Sequence, residues 1–136
     1  MNLTHHYEGS TRYLAAPKPC PFCDIIAGRL PVTIVRAWLD GLAIVPLNPV
    51  TKGHLLVIPM RHVEDFTSDP DLSGRMMTYA SELASAPCNI ITSAGREATQ
   101  SVFHLHLHIV PRSDNDGLAL PWYSGKTIGN LGSSND

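Results

Sequence analysis

Apolar and polar residues alternate strictly between residues 103 and 109. Histidines fill every second position of this segment: His104, His106 and His108. The positions between them are apolar: Phe103, Leu105, Leu107 and Ile109. Side chains of a strand point alternately to its two faces, so the spacing predicts a strand with three imidazoles on one face and core residues on the other. Neighbouring imidazoles would then lie about 7 Å apart.

The rest of the chain carries signals for four more strands. Branched and aromatic residues predict strands over 32–38, 42–45, 54–59 and 89–92. The Asp40-Gly41 pair between the first two favours a tight turn, so we expect a hairpin there. We therefore predict an antiparallel sheet of about five strands.

Two helices complete the pattern. Residues 24–28 have room for about two helical turns ended by Gly28. Asp69 is a candidate N-cap, Pro70 suits the first helical position, and apolar residues recur at helical spacing until Pro87 stops the helix. One main helix, a short N-terminal helix and an antiparallel sheet make an α+β domain.

The two ends of the chain lack such patterns. We expect residues 1–19 to form a flexible arm, residues 20–123 the folded domain, and residues 124–136 a flexible tail.

Composition excludes several classes of partner. Of 136 residues, 10 are basic and 12 acidic, so no broad basic face for nucleic acid or anionic lipid is indicated. No apolar run approaches the roughly 20 residues that span a bilayer. The N-terminus lacks the apolar centre of a secretory signal, and we expect a cytoplasmic protein.

Three cysteines argue against a disulfide framework in a reducing compartment. Cys20 and Cys23 form a Cys-x-x-Cys pair, which indicates half a metal site or a redox pair. Cys88 is interpreted as a small apolar strand residue.

The row of histidines has three possible uses. Neutral imidazole is a nucleophile and also the commonest transition-metal ligand, and an exposed strand could carry histidines without any function. The three residues alone do not separate a nucleophile from a metal cluster.

Several motifs in register resemble the histidine triad superfamily of nucleotide hydrolases and transferases. Residues 104–110 match its His-φ-His-φ-His-φ-φ signature, where φ is apolar. The resemblance extends to residues 20–28, 52–59 and 100–103, and to His62. It implies the HIT-like fold, a homodimer and a mononucleotide-type small-molecule substrate.

The resemblance also implies roles for individual residues. His106 would attack the α-phosphate of a nucleoside 5′-phosphoryl substrate and form a nucleotidyl-histidine intermediate, with a backbone carbonyl fixing its tautomer. His108, Gln100 and Ser101 would surround the phosphoryl oxygens. His54 matches another active-site histidine of the family.

Members with an N-terminal Cys-x-x-Cys pair hold zinc, and the resemblance assigns its four ligands here to Cys20, Cys23, His62 and His104. Four protein ligands close a tetrahedral site, so this zinc would be structural. No organic cofactor is implied.

The chain departs from the family pattern at the nucleotide site. The acid that binds the ribose hydroxyls is replaced by Pro46, with Asn48 as the nearest substitute. Ser93 stands at the family's asparagine, from which it could still meet a phosphate oxygen, and the main helix looks short.

The leading hypothesis is a hydrolase acting on a nucleoside phosphoramidate, a dinucleoside polyphosphate or a related mononucleotide derivative. The first alternative is a non-catalytic nucleotide-binding or zinc-stabilised interaction protein on the same fold. The second is a metal-dependent hydrolase that uses all three triad histidines as ligands.

Overall fold

The computed structural model describes residues 19–120. The predicted tail, and the predicted arm except Pro19, lie outside the described residues. The described helices and strands, in chain order, are α1 (Pro21–Ile26), β1 (Ile34–Ala37), β2 (Gly41–Ile44), β3 (Leu55–Pro59), α2 (Pro70–Leu83), β4 (Cys88–Ile91) and β5 (Leu107–Pro111). A short 3₁₀ turn, Arg96–Ala98, precedes the histidine segment.

All five strands form one antiparallel sheet in the order β1-β2-β3-β5-β4. The predicted α+β fold is therefore confirmed. Among the described residues, no helix is long and apolar enough to cross a membrane.

The sheet separates two apolar clusters, because successive residues of β2 and β3 face opposite sides. Ala43 and Val57 pack with α2 residues such as Met76. Leu42 and Leu56 pack instead in the other cluster, which contains Phe22 of α1. Each helix thus covers one face of the sheet, and the strands between them are buried on both sides.

The main helix begins as predicted. The Asp69 side chain accepts a hydrogen bond from the Leu72 N–H at 3.0 Å, with Pro70 at the first helical position. It ends at Leu83, before the predicted stop at Pro87, because Ala84 already has extended backbone.

The histidine strand is shorter than predicted. It starts at Leu107, so His104 and His106 lie in the segment that precedes it. The Leu105 N–H donates to the carbonyl of Val63, at 2.8 Å, rather than to a neighbouring strand. The prediction that Phe103 packs in the core was wrong, since it is 41% exposed.

The alternation of faces nevertheless persists through this segment. Leu105, Leu107 and Ile109 are buried in the α2-side cluster. His108 therefore lies on the α1 side of β5, opposite Leu56 of β3.

Candidate functional site

The ring of His106 is held by the backbone just before it. Its Nδ1 lies 2.8 Å from the carbonyl oxygen of His104. A carbonyl can only accept, so Nδ1 carries the proton and Nε2 of the neutral ring has a free lone pair. Burial lowers the pKa of His106, although the hydrogen bond to His104 opposes that effect. The ring is therefore neutral at pH 7, with Nε2 in the form that a nucleophile requires.

His108 is oriented through His54. The backbone N–H of Val50 donates to Nδ1 of His54 at 3.0 Å, and Nε2 of His54 lies 2.9 Å from Nδ1 of His108. Because an amide can only donate, neutral His54 carries its proton on Nε2 and donates it to His108. Neutral His108 must then carry its proton on Nε2.

The protonation state of this pair follows from burial. Burial lowers the pKa of His54. The pKa of His108 falls to about 4, first through burial and then through the neighbouring rings of His106 and His54. Near neutral pH the site therefore offers a lone pair on His106 and an N–H donor on His108.

The residues predicted to bind phosphate or nucleotide differ from one another in burial and in hydrogen bonding. Gln100 is 4% exposed, and its carboxamide nitrogen donates to the carbonyls of Glu64 and Val102, at 2.8 and 3.0 Å. Its oxygen accepts from the Gly95 N–H at 2.8 Å. Since both hydrogens of the amide are engaged, Gln100 braces the loop in this conformation and has no donor left for a phosphate.

Ser101 is exposed and lines a cavity of 420 Å³ beside Cys20 and His62. Neither His106 nor His108 is among the residues that line this cavity. The serine therefore lies in a depression on the side of the Cys-x-x-Cys motif.

Ser93 and Asn48 follow strand ends. Ser93 is half-buried after β4, next to Thr92, whose hydroxyl donates to the His106 carbonyl at 2.7 Å. Asn48 is exposed in the loop after β2, close in sequence to half-buried Pro46. Ser93 is thus linked to the histidine segment through its neighbour Thr92.

Four side chains converge at the start of α1. The sulfurs of Cys20 and Cys23 and one ring nitrogen each of His62 and His104 all lie within 4.8 Å of one another. Tetrahedral zinc with ordinary bond lengths would place sulfur and nitrogen about 3.6 Å apart and the two nitrogens about 3.3 Å apart. The observed sulfur–nitrogen distances are 3.3–3.7 Å, and the two Nδ1 atoms are 3.1 Å apart. The residues present therefore fit the ion.

The chemistry of the donor atoms agrees with that geometry. Nε2 of His104 donates to the carbonyl of Pro59 at 3.0 Å, so Nδ1 of the neutral ring is a lone pair aimed at the cluster. The pKa of Cys20 is lowered, first because the Cys23 thiol donates a hydrogen bond to its sulfur. The pKa of Cys23 is raised by the same hydrogen bond and by burial. A bound cation would favour loss of the shared proton.

Sequence reasoning missed two contributors to the site. The Val50 amide acts through its backbone, which no residue pattern reveals. Phe22 lies inside the Cys-x-x-Cys motif, yet its ring contacts the rings of His104 and His106, with centroids 5.6 and 5.1 Å away. Only its position between the two cysteines could have singled it out.

This arrangement, with a row of histidines at the start of a central antiparallel strand, defines a histidine triad protein. The model of the HIT domain matches residues 30–115, and the chain belongs to this family. It is 39% identical over 113 residues to an uncharacterised HIT-like protein of Mycobacterium tuberculosis, covering 75% of this chain and 77% of the relative. It is 31% identical over 111 residues to an adenosine 5′-monophosphoramidase of Schizosaccharomyces pombe, covering 77% and 84%.

Solved structures agree with the fold, and one of them contains zinc. A HIT family protein from Bacillus anthracis is 32% identical, with a TM-score of 0.71 and coverage of 84% of this chain and 90% of that one. A zinc-bound histidine triad family protein from Mycobacterium smegmatis is 34% identical, with a TM-score of 0.65 and coverage of 74% and 80%. The second structure shows that a protein of this fold can bind zinc.

Proposed function

We propose that the protein is a nucleotide hydrolase that forms a nucleotidyl-His106 intermediate at the α-phosphate of its substrate. The observation that carries the proposal is the hydrogen bond from Nδ1 of His106 to the His104 carbonyl, which leaves Nε2 unprotonated. Nucleophilic catalysis by imidazole requires that form of the ring. The fission-yeast relative, an adenosine 5′-monophosphoramidase, supports a nucleoside phosphoramidate as the substrate class, with dinucleoside polyphosphates and related mononucleotide derivatives as extensions.

In the first half-reaction Nε2 of His106 bonds to phosphorus while the bond from phosphorus to the leaving group breaks, and the leaving group departs with the bonding electron pair and takes a proton from solvent. In the second, a water oxygen bonds to the same phosphorus while the bond from phosphorus to Nε2 breaks, which returns the lone pair to Nε2 and releases the proton of the water to solvent. His108 supports both steps as a donor, because its Nε2–H is fixed by the hydrogen bond to His54. A donor aimed at developing oxyanion charge typically contributes about 10²–10³ in rate.

Cys20, Cys23, His62 and His104 would hold a structural zinc. Bound there, zinc supplies stability to the fold, since four protein ligands leave no open position for a water molecule. The metal-dependent alternative would need His104 and His106 on the same ion. It is not favoured, because Nδ1 of His104 faces the cysteines while Nδ1 of His106 is bonded to a carbonyl.

A second candidate is a nucleotide-binding or zinc-stabilised interaction protein without turnover. It is favoured by Pro46, whose side chain cannot accept hydrogen bonds from ribose hydroxyls, and by the exposed position of Asn48. The homodimer and the cytoplasmic location expected from the sequence remain part of the proposal, and light scattering of the purified protein tests the first.

The deciding experiment incubates the protein with a nucleoside phosphoramidate in the presence of chelator. We expect nucleoside monophosphate from the wild type, and an intact-protein mass increased by one nucleotidyl group under rapid quench. His106→Ala should show neither. The control His5→Ala should show both, because His5 belongs to none of the motifs that resemble the family. If the wild type binds nucleotide but turns over neither phosphoramidates nor dinucleoside polyphosphates, whether chelator is present or the protein is loaded with zinc, the binding function is correct instead.

A further inference from the structure

Phe22 connects the Cys-x-x-Cys turn to the nucleophile. It is 7% exposed, and its ring meets the ring of His104 edge-on at 89° and that of His106 at 75°. Edge-to-face contacts at such centroid distances are favourable and directional. The aromatic ring thus restricts how the imidazole of His106 can tilt.

The position of Phe22 is set by the two cysteines on either side of it. Cys20 is the N-cap of α1, and its sulfur accepts a hydrogen bond from the Cys23 N–H at 3.4 Å. Both sulfurs also face Nδ1 of His104, at 3.6 Å each. Any ion that draws these atoms together also fixes the turn that carries the aromatic ring.

His104 gives a second connection between the same two places. Its ring faces the sulfurs through Nδ1 and is tied to β3 by the hydrogen bond from Nε2 to the Pro59 carbonyl. Its own carbonyl holds Nδ1 of His106. His104 therefore belongs to the metal-binding cluster through its side chain and holds the ring of His106 through its backbone carbonyl.

We propose that the Cys-x-x-Cys segment positions the nucleophile: Phe22 and the His104 carbonyl hold the His106 ring, and filling the four-residue cluster with metal fixes both. Phe22 is a positioning residue in this scheme, acting on His106. The inference rests on the proposed function of His106 as nucleophile. It goes further because it gives the cluster a role in the orientation of one ring, in addition to stability.

The first test compares Phe22→Leu with the control Phe66→Leu in the full chain loaded with zinc. Phe66 is 39% exposed and belongs to neither apolar cluster. We expect Phe22→Leu to retain one zinc per chain and to lower kcat and kcat/KM alike by about tenfold, because misplacement of a reacting group costs rate in the transition state. Phe66→Leu should match the wild type. A raised KM with unchanged kcat would overturn the proposal, since Phe22 would then act on substrate binding.

The second test does not depend on turnover. The Nδ1 proton of His106 is observed by NMR, and its exchange with solvent is measured in zinc-loaded wild type, metal-free wild type and zinc-loaded Phe22→Leu. We expect exchange to be at least about tenfold faster in the last two, because a ring free to tilt breaks its bond to the His104 carbonyl more often. Equal exchange in all three would overturn the proposal. If the wild type shows no turnover at all, the proposed function fails, while this comparison still decides whether the cluster orients the ring.

Discussion

Nε2 of His54 lies 2.9 Å from Nδ1 of His108. Between two neutral imidazoles at this distance, one of the facing nitrogens must carry the proton and the other must accept it. Because the N–H of Val50 donates to Nδ1 of His54, the proton of His54 is on Nε2. A backbone amide in the loop between β2 and β3 thereby determines which nitrogen of His108 is a donor.

Removing His54 should therefore reduce activity through His108. We expect His54→Ala to lower kcat by about tenfold to a hundredfold, because His108 is then free to adopt the tautomer without an Nε2–H. His54→Gln should recover part of the loss, since its amide nitrogen can reach the position of Nε2 and donate to His108. The measurement is steady-state hydrolysis of a nucleoside phosphoramidate. Equal kcat in His54→Gln and His54→Ala would mean that the donated hydrogen bond is unimportant.

The same pair predicts a loss of stability in mild acid. His108 has a folded-state pKa of about 4, whereas an unfolded histidine titrates near 6.5. Between these values the unfolded chain binds more protons, so the free energy of unfolding falls as the pH is lowered from about 6.5 to 4. The stabilising contribution of the neutral ring is complete above about 6.5.

His108→Asn should weaken that dependence. Thermal unfolding of wild type and variant across the window measures it. Both proteins share the cysteine cluster, so its own titration cancels in the difference between them. If the stabilities of wild type and variant change equally with pH, His108 binds protons equally in the folded and unfolded states.

Gln100 could act either by holding its loop through hydrogen bonds or by binding phosphate, and the two roles predict different effects of substitution. Gln100→Leu leaves the Gly95 N–H and the carbonyls of Glu64 and Val102 without their side-chain partner. Unpaired buried groups of this kind cost about 1–3 kcal/mol each, less where water reaches them, so we expect a loss of about 2–3 kcal/mol by urea unfolding. Gln100→Glu should be no better, because a carboxylate would face the two carbonyls. Unchanged stability together with a large fall in kcat would assign Gln100 to the phosphate instead.

The sequence predicted those features that depend on local pattern. Alternation from Leu105 to Ile109 correctly separated the core face from the histidine face, and Asp69 with Pro70 marked the start of the main helix. Both signals come from residues within a few positions of one another. The strand boundary was missed because it depends on a distant partner, the carbonyl of Val63, which takes the N–H of Leu105 out of the sheet.

The candidate site likewise combines features that local sequence pattern predicted with features that depend on residues far apart in the chain. The spacing of the histidines left nucleophile and metal ligand open, because Cys20 and His104 are 84 positions apart and no local pattern brings them together. The family resemblance supplied that grouping, and the structure places the four side chains at distances that suit zinc. The resemblance implied that a backbone carbonyl fixes the tautomer of His106. The particular backbone groups that fix tautomers, on Val50, Pro59 and His104, could be identified only from the structure.

The cluster itself predicts a metal-dependent stability. Purified protein should carry about one zinc per chain, and Cys20→Ala should lose it, because three ligands hold the ion far less tightly than four. An ion present at about a thousand times its dissociation constant stabilises the folded state by about 4 kcal/mol. For a domain of this size, loss of that stabilisation lowers the melting temperature by about 15 °C. Cys88→Ala is the matched control, since Cys88 begins β4 and is not one of the four clustered residues. It should keep both the zinc and most of the melting temperature. Metal analysis and calorimetry on the three proteins give the answer, and a zinc-free wild type that melts at the same temperature as the loaded protein would rule out a structural ion.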